Sequence, residues 1–393
     1  MFDHAQKSPR VHTTSRRGPR RAAAVPAVVA AALAAAGTLP AAAESHSSRD
    51  AVHEGLERLV TEDQYPAALA AIVDSDGRTR DHTAGVGDVR TGAKVPVDGQ
   101  VRMGSNTKAF TATVVLQLVG EGKVALDAPI ERYLPDLVRG DGIDGRDITV
   151  RQLLQHTSGL PDYTESMTGD ALYGVGRRHT YYQPRTLLDT ALAHKALFAP
   201  GTSWSYSNTN YVLAGLLVEK VTGRPIAEQI TRRVIDRIGL RHTYFPGVGE
   251  ERIREAHPKG YYASKPGAPL DDVTELAPSW GWAAGQMIST PSDLTRFFSA
   301  LVGGKLLKPA QLAQMRTTVA VPDDFQPGSG IRFGLGLVST PLSCGGLSWG
   351  HSGGIPGYST LVAVAVAVTA LSPPSGKETD NVKRLVDTAL CAK

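Results

Sequence analysis

Ser105-Asn106-Thr107-Lys108-Ala109-Phe110-Thr111-Ala112-Thr113-Val114-Val115-Leu116-Gln117-Leu118 decides how the rest of the chain is read. Phe110, Val114, Val115 and Leu118 recur at helical spacing, and Gly122 supplies a stop, so the pattern predicts a helix over 106–122. Ser105 and Lys108 stand three residues apart and therefore share a face. A hydroxyl at a helix N-terminus has unpaired backbone N–H groups beside it and a dipole that favours negative charge. Read alone, the string is a capping serine followed by a solvated lysine. S-x-x-K occurs once in the chain.

On the N-terminal side, residues 51–60 read as a short amphipathic helix. Residues 67–74 and 79–86 read as two strands joined by the turn signal Asp76-Gly77. On the C-terminal side the pattern turns helical at 150–155, 184–194, 208–222 and 225–238, with Gly223 as a stop between the last two. Near Trp280 it changes again. Residues 286–289 read as a strand, Ser292 as the cap of a helix through Leu301, and 331–338, 345–351 and 358–368 as strands before a closing helix over 377–390. Strands at both chain ends predict one sheet assembled from both termini, an α+β fold with an inserted helical domain. The expected division is 50–122 with 282–393 for the sheet domain and 123–281 for the helical one. A groove between two such domains is a common place for a site.

Two further strings carry chemistry. Tyr206-Ser207-Asn208 opens a helix, and His351-Ser352-Gly353-Gly354 ends a strand. Nucleophilic catalysis needs an activated hydroxyl, a base and donors for an oxyanion, and the three strings offer these parts in order. Gly350-His351-Ser352-Gly353-Gly354 also fits G-x-S-x-G. That elbow needs strand, sharp turn and helix, with a histidine further on; no histidine follows His351. The 11 histidines include no H-E-x-x-H, so no metal site is expected.

The chain has 393 residues, 42 Lys plus Arg, 38 Asp plus Glu and a net charge of +4. The first 43 residues begin basic, continue as an Ala/Val run over 22–36 and end Leu39-Pro40-Ala41-Ala42-Ala43. These are the parts of a secretory signal cleaved near Ala43. The apolar run, broken by Pro26, is shorter than the about 20 residues a membrane span needs. The paired arginines suggest twin-arginine export, which Gly18-Pro19 fit poorly, so the route stays open. Removing the leader leaves 36 basic against 37 acidic residues. No Lys/Arg cluster or nucleic-acid motif remains, which argues against a nucleic-acid partner. Two cysteines are too few for a disulfide scaffold or a four-cysteine zinc site. Export leaves Cys344 and Cys391 free to pair, the alternative being two buried thiols.

Ser105-x-x-Lys108, Tyr206-x-Asn208 and His351-Ser352-Gly353, with His156-Thr-Ser-Gly-Leu160 and Gly239-Leu240, resemble the motifs of the penicillin-recognising serine hydrolases (the β-lactamase/DD-peptidase family). The resemblance spans about residues 50–393. It is strongest to the secreted streptomycete-type D-alanyl-D-alanine carboxypeptidases, which carry His in the third motif and a disulfide placed as Cys344–Cys391 would be. It implies an antiparallel sheet flanked by helices and no cofactor. It implies a secreted, penicillin-sensitive carboxypeptidase, with transpeptidase ability open, and peptidoglycan stem peptides or β-lactams as ligands. Ser105 would form an acyl-enzyme, with Lys108 or Tyr206 as base. Asn208 would hold the network and the substrate amide, and His351 would extend it towards the leaving group. Ser105 and Gly354 N–H groups would form the oxyanion hole, with Ser352, Gly353 and Trp280 lining the substrate side; plain core packing is the other reading of Trp280.

Two positions depart from that pattern. The carboxypeptidases carry an arginine for the substrate carboxylate after G-L-G-L; here Gly334-Leu-Gly-Leu337 is followed by Val338. Ser352 and Arg332 are the polar groups available instead, or the substrate is an ester, a β-lactam or a different D-amino-acid peptide. The stretch 361–371 also lacks the Gly, Asn or Asp expected of a hairpin turn.

Overall fold

The structure is a computed structural model that describes residues 41–393 except 75, 168–177, 264–267, 324, 327, 372–377 and 393. The leader expected over 1–43 therefore lies outside the described residues up to position 40. Its helices are α1 (Ala41–Thr61), α2 (Thr107–Gly120), α3 (Val150–Leu154), α4 (Pro184–Leu192), α5 (Thr209–Thr222) and α6 (226–238). After them come α7 (Trp282–Gly285), α8 (Pro291–Val302), α9 (Pro309–Arg316) and α10 (Glu378–Cys391).

The main strands are β1 (Ala67–Val73), β2 (Thr79–Asp88), β3 (Ala93–Lys94), β4 (Val101–Arg102) and β5 (Ile288–Ser289). They continue with β6 (Val319–Ala320), β7 (Arg332–Phe333), β8 (Val338–Pro341), β9 (Leu347–Ile355), β10 (Tyr358–Ala363) and β11 (Val366–Ala370). Nine of them form one antiparallel sheet in the order β6-β7-β8-β9-β10-β11-β1-β2-β3. The two chain ends meet where Ala68 pairs with Ala370 and Leu69 with Thr369.

Strand β1 is apolar throughout because both its faces are covered. Ala68, Ala70 and Ile72 pack with Val52, Leu56 and Leu59 of α1 and with Val382, Leu385 and Val386 of α10. Ala67 and Leu69 face a second cluster that includes Val101 and Ile288. Helix α2 is buried on all sides, polar residues Thr107, Lys108, Thr111 and Thr113 included. The core around it takes in Leu153, Leu213 and Val234 as well as Phe297 and Leu337, so the middle of the chain and its C-terminal part share one apolar interior.

Several local expectations change. Thr290, not Ser292, caps α8: its side chain accepts the Asp293 N–H, and Pro291 takes the first helical position. Asp98 accepts the Ser292 N–H instead. The strand expected over 331–338 is two strands, because the Gly334 N–H closes a turn on the Leu337 carbonyl. His351 lies inside β9, which continues to Ile355. That run of strand also removes the strand-turn-helix that a G-x-S-x-G elbow requires. The turn between β10 and β11 is built on Ala365, whose φ is 75°. A residue with a Cβ holds the position that glycine or asparagine normally fills.

Candidate active site

Ser105 sits in a 3-10 turn (Gly104–Asn106) that feeds α2. Strand β9 presses against this turn because two glycines let it. A Cβ on Gly104 would lie 2.8 Å from the Gly354 carbonyl oxygen, and one on Gly353 would lie 2.1 Å from that of Met103. Strand β8 pairs with β9 only through Leu347–Gly350, so 352–355 present an open edge beside Ser105.

Lys108 is wholly buried, and its Nζ has three neighbours. Ser105 Oγ is 3.0 Å away, Asn208 Oδ1 2.6 Å and the Ala284 carbonyl 2.9 Å. Burial lowers its pKa to about 7, against the raising pull of Asp162. A neutral amine fits this set. Its two N–H groups serve the two obligate acceptors, and its lone pair faces the serine hydroxyl.

The start of α5 brings in the second motif. The Tyr206 hydroxyl is hydrogen-bonded to Ser105, and burial pushes its pKa up. Lys108 Nζ lies 4.9 Å from its ring centre. Tyr206 stacks on His156, with ring centres 4.4 Å apart. His156 is buried with φ 62°, and its Nδ1 accepts the Ser207 N–H at 3.2 Å.

His351 joins from β9. Its Nδ1 donates to the Ser352 carbonyl at 2.5 Å, which leaves Nε2 as a buried acceptor without a protein partner. Burial and Lys108 lower its pKa to about 4, so the ring is neutral.

A cavity of about 750 Å³ opens in front of these groups, with Ser105, Tyr206, His351, Ser352 and Gly354 in its lining. Phe325 and Phe333 add apolar wall, and Val338 stands where the resemblance implies a carboxylate partner. Arg332 does not supply one: its Nε donates to Thr318 Oγ1 at 2.9 Å, and its side chain is absent from the lining. Trp280 is also absent from the lining; it packs against two apolar clusters, and its carbonyl accepts the Tyr163 hydroxyl at 2.5 Å. Cys344 and Cys391 form a disulfide that ties the end of α10 to the β8–β9 turn. Among the described residues, no group of His, Cys, Asp and Glu is placed to hold a metal ion, and no helix is long and apolar enough to cross a membrane.

Sequence reasoning missed Asp162. Its Oδ2 accepts the Asn208 Nδ2–H at 2.8 Å and the Asn208 N–H at 3.1 Å. Its Oδ1 accepts the Thr164 N–H, a capping role that an Asp before a helical turn does signal. Nothing in the sequence signals the second oxygen's partner, 46 residues away.

The Beta-lactamase family profile matches residues 52–385. The chain belongs to the β-lactamase family. Within that family it is similar in structure to a D-stereospecific amidohydrolase from Streptomyces sp., 40% identical, with a TM-score of 0.79 over 88% of this chain and 99% of the other. Esterase EstB of Burkholderia gladioli is 30% identical over 73% of this chain and 80% of its own length. Penicillin-binding protein 4* of Bacillus subtilis strain 168 is 27% identical over 72% of this chain. The chain spans only 61% of that relative's length. These family relations give the protein the β-lactamase and penicillin-binding-protein fold.

Proposed function

We propose that this protein is an exported amidohydrolase that cleaves the amide bond following a D-amino acid through an acyl-enzyme on Ser105. The observation that carries the reading is the buried Lys108, 3.0 Å from Ser105 Oγ with its pKa lowered to about 7. Neutral Lys108 takes the Ser105 proton as Oγ attacks the carbonyl carbon. The N–H groups of Ser105 and Gly354 stabilise the oxyanion. Tyr206, kept as a phenol by burial, hands a proton to the departing nitrogen as the C–N bond breaks, and recovers one from Lys108. Water then hydrolyses the ester to the acid and free Ser105. Asn208 orients Lys108, and neutral His351 offers its Nε2 to an N–H of the leaving group. Ser352 belongs to the wall of this site; Gly353 is not in that wall but lets β9 close on the Ser105 turn, and Trp280 backs the site through the core.

The preference for an amide over a free carboxylate next to the scissile bond rests on Val338 and on the outward turn of Arg332. The D-preference rests on the likeness to the Streptomyces amidohydrolase. The division into a sheet domain (50–122 and 282–393) and a helical domain (123–281) and the removal of 1–43 on export belong to the same proposal. The disulfide supports the export.

Turnover of D- and L-phenylalanine amide, of a D-alanyl-D-alanine stem peptide and of a short acyl ester tests the reading. Fastest hydrolysis of the D-amide is expected. A stem peptide turned over faster would assign the narrower carboxypeptidase activity on peptidoglycan instead. No D-over-L preference would overturn the proposal.

A further inference from the structure

We propose that the cavity at Ser105 continues as a leaving-group groove that takes an extended peptide and reads its terminal carboxylate at α10, through Lys383 and Arg384. The inference rests on the hydrolase reading above.

One continuous cavity runs from Ser105 and Tyr206 to Val382, Lys383 and Val386 of α10. At about 750 Å³ it has the capacity of a site for a drug-sized ligand, more than one amino-acid residue needs. Its floor is a face of the sheet. Side chains alternate along a strand, so Ser348, Gly350, Ser352 and Gly354 lie on one side of β9. Their cross-strand partners Thr340, Val338, Leu361 and Ser359 widen that floor. From Gly354 back to Ser348 the strand covers about 20 Å at about 3.3 Å per residue. An extended ligand of about five or six residues spans the same length.

Charge marks the far end. Apart from the neutral His351, the cations in the lining among the described residues are Lys383 and Arg384, both on α10. Lys383 has a loose contact with Asp380 at 3.9 Å, and Asp380 is 82% exposed, so solvent screens the pair. Among the described residues Arg384 has no carboxylate partner. Among the described residues the one acid in the lining, Asp387, is already engaged: its carboxylate accepts the Ser343 N–H and hydroxyl. A cation at position 338 would end the substrate at its first leaving residue. Val338 lets the chain pass, and the cationic end moves to α10. The reaction is unchanged: the C–N bond breaks, the leaving amine takes its proton, and the released peptide departs along the groove.

The test uses D-phenylalanyl-tetraglycine with a free carboxylate, the same peptide amidated at its C-terminus, and D-phenylalanine amide. The wild type is expected to show kcat/KM about five- to tenfold higher for the free carboxylate than for the amidated peptide, with the ratio shrinking at high salt. In the K383Q/R384Q double variant the ratio falls to about one, while D-phenylalanine amide turnover stays unchanged. A ratio near one in the wild type, or one that survives the double substitution, overturns the groove and leaves the hydrolase reading standing. Calorimetric binding of both peptides to Ser105→Ala reads the subsite without turnover. A chain inert on every amide therefore counts against the hydrolase reading, while the affinity difference still decides the groove.

Discussion

Asp162 holds Asn208 by both its backbone N–H and its side-chain amide. One oxygen therefore fixes which way the Asn208 amide faces, and the Asn208 Oδ1 is left to accept from Lys108. Asp162→Asn removes that fixed acceptor and releases the amide to flip. A misplacement of this kind at a reacting group costs up to about 100-fold, so kcat is expected to fall by about 10- to 100-fold with KM little changed. Asp162 also raises the pKa of Lys108 against burial, so the acid limb of the kcat/KM profile moves to lower pH in the variant. A limb that does not move would make Asp162 a structural cap alone.

The wild-type profile follows from the same lysine. A base is competent when unprotonated, so kcat/KM rises as pH passes upward through about 7. His351, with its pKa lowered to about 4, is neutral across that range and adds no second limb there. Lys108→Ala removes the base and costs about 10²- to 10⁴-fold in kcat. Stopped-flow acylation between pH 5 and 9 measures both effects.

Ala365 turns the last hairpin with φ 75°. A left-handed conformation costs a residue with a Cβ about 1–2 kcal/mol, while glycine loses about 0.5–1 kcal/mol of extra chain entropy on folding. Ala365→Gly is therefore expected to stabilise the fold by about 0.5–1 kcal/mol. Scanning calorimetry would register a Tm higher by about 1–3 °C.

The Cys344–Cys391 bridge closes a loop with a sequence separation of 47. Replacing both cysteines by serine is expected to cost about 2–4 kcal/mol, read by chemical denaturation with and without reductant. D-phenylalanine amide turnover on the folded protein should persist, because neither cysteine touches Ser105, Lys108 or Tyr206.

The elements that set the fold were legible where a local pattern and the tertiary demand agree. Residues 67–74 read as a strand because both faces of β1 are buried, and Gly122 and Gly223 punctuate helices by adopting φ 72° and 64°. The motif strings placed Ser105, Lys108, Tyr206, Asn208 and His351, and the structure brings those five together. Relations that depend on distant backbone were not legible. The Ala284 carbonyl that completes the Lys108 set lies 176 residues from it. Asp162 looked like an ordinary cap because one oxygen is one. Thr290 took the cap assigned to Ser292 because Pro291 fits the first helical turn and Asp98 claims the serine. The turn at Ala365 had no signal to read, since its sequence contradicts its conformation.

The proposed reaction runs through an acyl-enzyme on Ser105. Intact-mass measurement of the full chain after incubation with penicillin, followed by peptide mapping, tests it most directly. One penicilloyl adduct is expected on the peptide that carries Ser105, absent from Ser105→Ala. An adduct on any other residue, or a folded protein that carries no adduct either from penicillin or from acid-quenched turnover of D-phenylalanine amide, would contradict it.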